Sequence, residues 1–147
     1  MSKPLTPPSD AWQPLFRTSP FLDLIGPLFQ RPNDGDDGGF VIGLRIEEKL
    51  CNARQGAHGG VLATLADISL GYVSSSSVEP PAMLTTTNLT LDYVGAVNLG
   101  DWLESHVDVQ RVGGRTAFAN CYLMVGDKRL ARASAVFIRS DGITVNS

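Results

Sequence analysis

The chain has 147 residues, 43% hydrophobic and 18% charged, which suits one domain with a core of its own. Its formal charge of −3 lacks the basic surplus that nucleic-acid binding requires. Two cysteines (Cys51, Cys121) and two histidines (His58, His106) lack the close spacing of a zinc site and suggest no disulfide framework. No metal or cofactor is therefore expected, and the reducing cytoplasm is the expected setting.

In chain order, residues 1–19 are rich in proline and serine and are expected to form a loose arm. They hold no apolar run of the secretory kind, and no stretch of the chain reaches the roughly 20 apolar residues of a membrane span. A single domain is expected over residues 20–147. SPFLDLIGPLFQ, from Ser19 to Gln30, reads as a short helix capped by Ser19 with Pro20 in its first turn. The turn cluster Asn33 to Gly39 has the acids of a calcium loop, but its twelfth position is Arg45 where a bidentate Glu is required.

FVIGLRIEEKL alternates as a strand. After the loop CNARQGA, the stretch HGGVLATLADISLGYV reads as a long buried helix that stops in SSSS and EPP. Four strands follow: AMLTTTNLTLDYV, DWLESHVDVQRV, RTAFANCYLMVG and RLARASAVFIRS, with hairpin turns at 112–114 and at Gly126-Asp127. Consecutive hairpins are antiparallel. The expected fold is α+β, a long apolar helix wrapped by a five- to six-stranded antiparallel sheet.

The helix start carries candidate chemistry. Gly59 and Gly60 allow close approach of a ligand to the backbone. The first amides of a helix have no intrahelical partner and sit at the positive end of its dipole. The Gly59 N–H is thus a candidate donor to an oxygen that gains negative charge. Upstream, the Asn52 carboxamide can orient a polar group. HGG also fits a plain loop-to-helix turn. Asp67 is the one charged residue from Gly59 to Ser77, with no Lys or Arg three or four positions away. It is too far along the helix to cap it. An unpaired buried carboxylate is costly, and a buried acid is a better base than one in open water. The plainer alternatives are that Asp67 accepts hydrogen bonds from a serine or threonine elsewhere, or faces water at an edge.

Gly59 and Asp67 are eight residues apart on one helix, which separates them by roughly 12 Å along its axis. A base and an oxyanion donor must each lie within about 3–4 Å of one reacting carbon. Two antiparallel helices across a two-fold axis would bring Gly59 of one chain to Asp67 of the other, so a homodimer with two shared sites is expected.

Asn52, five residues, His58-Gly59-Gly60, six residues, Asp67, then TTTNLTLDYV resembles the hotdog-fold acyl-CoA thioesterases, in particular the PaaI-type and thioesterase-superfamily subgroup. The resemblance runs from about residue 20 to near the end. It implies that the Gly59 N–H polarises a thioester carbonyl and that Asp67 of the partner chain acts as base on water or as nucleophile. Asn52 would place the water or the carboxylate, His58 would orient the substrate near the sulfur, and Thr86 would assist the acid. Strand alternation sets Thr86 with Asn88, Thr90 and Asp92, and Thr85 and Thr87 compete for its role. The implied substrate is an acyl thioester of coenzyme A, with Gly60, Arg111 and Arg115 as binding residues and Lys128, Arg129 and Arg132 as further cations. Dimers of such proteins often pair again into tetramers. A non-catalytic acyl-CoA binding protein and a hotdog hydratase or dehydratase are the alternatives.

Overall fold

The computed structural model describes residues 6–35 and 38–141. After a two-residue strand β1 (Gln13–Pro14) comes helix α1 (Pro20–Ile25), then β2 (Leu28–Pro32) and β3 (Phe40–Arg45). A 3-10 turn at Glu48–Leu50 leads to helix α2 (Gly59–Ser76). Four long strands complete the fold: β4 (Leu84–Tyr93), β5 (Trp102–Val112), β6 (Thr116–Val125) and β7 (Lys128–Arg139). The strands form one antiparallel sheet in the order β1-β2-β3-β5-β6-β7-β4. Among the described residues, no helix is long and apolar enough to cross a membrane.

Among the described residues the sheet has seven strands rather than five or six, because two short strands, β1 and β2, precede β3. α1 starts as expected, with the Ser19 side chain accepting from the Leu22 N–H. It stops at Gly26, where a Cβ would sit 2.9 Å from the Leu22 carbonyl oxygen. Pro27 then lacks the N–H that another helical turn needs. Residues 28–32, expected as helix up to Gln30, instead pair with β3.

Residues 6–19 also do more than trail as an arm. Trp12 is 7% exposed and meets Trp102 edge to face at 5.0 Å. Both rings lie over Gly43, where a Cβ would come within 2.3 Å of the Trp102 ring. The bare backbone there is what lets two indoles pack on the outer face of the sheet. Arg31 covers the Trp12 ring and Arg45 the Trp102 ring.

α2 lies across the inner face and touches β3 to β7. Its buried residues Leu62, Leu65, Ala66 and Leu70 meet Ile42, Leu44, Leu103 and Phe137. Ala117, Ala119, Ala131, Ala133 and Ala135 form the inner face of β6 and β7, and small residues there leave room for the helix. The buried hydroxyls of Ser69 and Ser105 satisfy each other at 2.5 Å.

β4 is an outermost strand, ten residues long, and pairs only with β7 among the described residues. Its register shifts between Thr86 and Asn88, so Thr87 is an extra residue, a β-bulge. Thr86 stands opposite Phe137 and Leu89 opposite Ala135, both inner-face residues, while Asn88 stands opposite Val136. The bulge therefore turns Thr86 to the inner face with Leu89, Leu91 and Tyr93. Unbroken alternation had set it on the other side.

Candidate active site

The loop before α2 is locked by its own backbone. Cys51 bridges Ala57, and Asn52 N–H donates to the Gly56 carbonyl at 2.8 Å. The Asn52 Oδ1 accepts from the amides of Arg54 and Gly56, at 2.9 and 3.2 Å. That oxygen is spent on the loop, and the carboxamide nitrogen is the part of Asn52 left to face a ligand.

His58 N–H donates to the Leu50 carbonyl, which fixes the helix entry. Its Nδ1 accepts from the Gly60 N–H at 2.9 Å, so His58 is itself the N-cap. A neutral imidazole that accepts at Nδ1 carries its proton on Nε2. His58 thus presents an N–H outward, while the Gly60 N–H, expected to meet substrate, is already taken.

Tyr93 closes the other side of this turn. Its hydroxyl donates to the Gly59 carbonyl at 2.7 Å. A Cβ on Gly59 would lie 3.2–3.4 Å from the hydroxyl and ring of Tyr93, so glycine is what lets the phenol sit there. The Gly59–Gly60 peptide is held at both ends, its oxygen by Tyr93 and its N–H by His58. The Gly59 N–H is left pointing from the helix terminus with no acceptor among the described residues. Tyr93 was missed in the sequence. Its position on the apolar face of β4 was visible, but its acceptor is a backbone carbonyl that no side-chain pattern reveals.

Asp67, half-buried, lies two turns further along α2. Its Oδ1 accepts from the Thr86 hydroxyl at 2.8 Å. Of the three threonines that compete for this role, Thr87 donates instead to the Val136 carbonyl. Thr85 lines the same cleft as Asp67 but makes no bond to it. The cleft encloses about 630 Å³, with Phe16, Tyr72, Met83 and Phe137 among its walls.

One chain therefore holds two candidate half-sites. Asn52, His58 and Gly59 stand at the start of α2 beside Tyr93, and Asp67 stands with Thr86. α2 and β4 run in opposite senses, so β4 touches both halves, at Tyr93 and at Thr86. Arg111 and Arg115 belong to neither. They are exposed at the β5–β6 hairpin, whose Arg115 carbonyl accepts from Arg139 opposite Leu84, at the Thr86 end of the sheet. At the other hairpin, Arg129 covers the Tyr122 ring and Arg132 pairs with Asp92 at 2.9 Å.

A long helix wrapped by one antiparallel sheet, with a glycine turn at its start and an acid at its middle, defines a hotdog-fold protein. Residues 55–132 match the Thioesterase superfamily model. The chain is 48% identical over 128 residues to a Pseudomonas aeruginosa protein named "Putative esterase PA0474", covering 87% of this chain and 94% of that one. It is 30% identical over 86 residues to the rat acyl-coenzyme A thioesterase THEM4, covering 57% of this chain and 36% of that protein. The PaaI protein of E. coli, from the phenylacetic acid degradation operon, shares the fold. The TM-score is 0.71 at 22% identity, over 84% of this chain and 86% of that one. The chain belongs to the thioesterase superfamily.

Proposed function

We propose that the protein hydrolyses acyl-CoA thioesters at sites shared between two copies of the chain. The observation that carries this is the pairing of each half-site with one end of an open edge strand. β4 offers a long row of unpaired backbone groups, which a second β4 can satisfy in antiparallel register. A two-fold axis at Thr90 would set Thr86 of one chain, beyond the bulge at Thr87, across from Tyr93 of its copy. Asp67 would then face the other chain's Gly59. Each dimer would hold two such sites, and a further pairing of dimers is compatible with this arrangement.

In this arrangement the thioester carbonyl oxygen accepts from the Gly59 N–H, whose dipole and lack of another partner favour the developing oxyanion. Asp67 of the second chain, steadied by Thr86, takes a proton from water as the water attacks the carbonyl carbon. The tetrahedral intermediate collapses, the C–S bond breaks, and the proton goes to the leaving thiolate. Asp67 can also attack the carbon itself, giving an anhydride that water then opens. The Nε2–H of His58 and the Asn52 carboxamide are the nearby donors for the sulfur and for the attacking group. The rat relative's name, an acyl-coenzyme A thioesterase, supports CoA as the carrier.

Thiol release from a panel of acyl-CoAs tests the assignment. Turnover that falls at least about a hundredfold in Asp67→Asn, with the fold retained, is expected for a general base or nucleophile. Tight acyl-CoA binding without turnover would overturn it in favour of a binding protein.

A further inference from the structure

The cleft beside Asp67 has a second polar group. Among the described residues, two charged side chains line it: Asp67 and Arg17. Apart from Thr85, Thr86 and a few serines, the walls between them are mainly apolar, among them Ile68, Tyr72 and Met83. The Arg17 guanidinium lies over the Tyr72 ring, 5.7 Å from its centre, and has no carboxylate or hydrogen-bond partner among the described residues.

Its place in the cleft is set by the fold. Phe16 N–H donates to Gln30 Oε1 at 2.6 Å, and the Phe16 ring rests on Phe40 and Tyr72 at 5.7 and 5.6 Å. β1 ties the preceding residues to β2. A cation held against an aromatic face keeps its fork of N–H groups available. That fork matches a carboxylate with two parallel hydrogen bonds.

We propose that this cleft receives the acyl group and that Arg17 selects acyl groups ending in a carboxylate. The inference rests on the thioesterase assignment and names its substrate class. The helix sets a minimum length. Tyr72 is five residues beyond Asp67, about 7.5 Å along the axis. An extended carbon chain advances about 1.3 Å per carbon for bonds near 1.5 Å. A chain of about six or seven carbons covers that axial rise, the least that a terminal carboxylate must span from a thioester carbonyl at Asp67 towards Arg17. Adipyl-CoA is therefore the shortest suitable probe, and hexanoyl-CoA is its uncharged match in length.

The test compares kcat/KM for adipyl- and hexanoyl-CoA in the wild type and in Arg17→Met, which keeps an unbranched apolar stem. The wild type is expected to favour the adipyl substrate about threefold to fivefold, the scale of an ion pair at an exposed arginine. Arg17→Met is expected to reduce that ratio by a similar factor. The same change in ratio is expected with N-acetylcysteamine thioesters, which carry no phosphates. Equal losses on both acyl groups would overturn the proposal, because Arg17 would then serve Asp67 or the CoA phosphates. So would a wild type that shows no adipyl preference. If no thioester is hydrolysed, the thioesterase assignment falls by itself. Calorimetry with adipate and hexanoate then decides the cleft separately: adipate-selective binding lost in Arg17→Met supports it, and no selectivity overturns it.

Discussion

Replacing Gly59 by proline should remove one N–H and little else. Gly59 is the first residue of α2, a position that tolerates proline because no intrahelical bond uses its N–H. The residue before a proline must be extended, and His58 already is, with φ −63° and ψ 137°. The new ring would press on Tyr93, since a Cβ at position 59 lies 3.2 Å from its hydroxyl. Tyr93 is 55% exposed and can yield by a few tenths of an ångström. The cost is at most the Tyr93 hydrogen bond, about 1 kcal/mol, and the stiffer unfolded chain offsets about half of that or more. Tm should therefore move by only a few degrees, at about 2–4 °C per kcal/mol for a chain near this length. Catalysis should suffer far more, because loss of one oxyanion donor costs about 2.7–4 kcal/mol, or 10²–10³ in kcat. Thiol release from an acyl-CoA, followed alongside circular dichroism, reads both effects. A variant with native helix content that keeps more than about a tenth of wild-type kcat would refute the Gly59 N–H as the principal donor.

Further outcomes follow from other contacts. Tyr93→Phe keeps the ring on Gly59 but releases the Gly59–Gly60 peptide, so kcat should fall about tenfold with KM little changed and a stability loss near 1 kcal/mol; an unchanged kcat would show that the hydroxyl does not hold the donor. Trp12→Ala should destabilise by about 3–5 kcal/mol in denaturant melts if the N-terminal segment packs on the sheet, and a loss under about 1 kcal/mol would mean that it does not. Burial works to raise the Glu104 carboxyl, but His106 at 2.9 Å and Arg31 at 3.4 Å outweigh it and hold it below its ordinary value. A carboxyl lowered in the folded state contributes stability above its unfolded pKa of about 4.3, and that contribution is lost as pH falls through the folded value. The Tm gap between wild type and Glu104→Gln should therefore be widest near neutral pH and close below about pH 4. A gap that widens in acid would contradict the assigned partners.

The parts of the molecule legible in the sequence are those that local pattern encodes. HGG and the serine run bracket α2, and alternation with two tight turns delimits β5, β6 and β7. Long-range packing was not legible. Trp12 reads as part of a loose arm until Trp102 and the bare Gly43 are brought beneath it. PFLDLIGPLFQ reads as one helix because its apolar residues suit either element, and the change to β2 turns on Gly26 and Pro27. The Asp67–Thr86 contact came from family resemblance, and strict alternation argued against it. A bulge at Thr87 changes the face of a strand without altering its composition. The Gly60 N–H looked available because the His58 cap is a side-chain choice that spacing cannot show.

The shared site is most directly tested by mixing two inactive chains, Asp67→Ala and Gly59→Pro. After random reassembly, about half of the dimers are mixed, and each mixed dimer holds one intact site and one doubly damaged site. Thiol release at about one quarter of the wild-type rate per chain is the expected result. No recovery, with mixed dimers shown to have formed, would contradict a reaction carried out by Gly59 of one chain and Asp67 of the other.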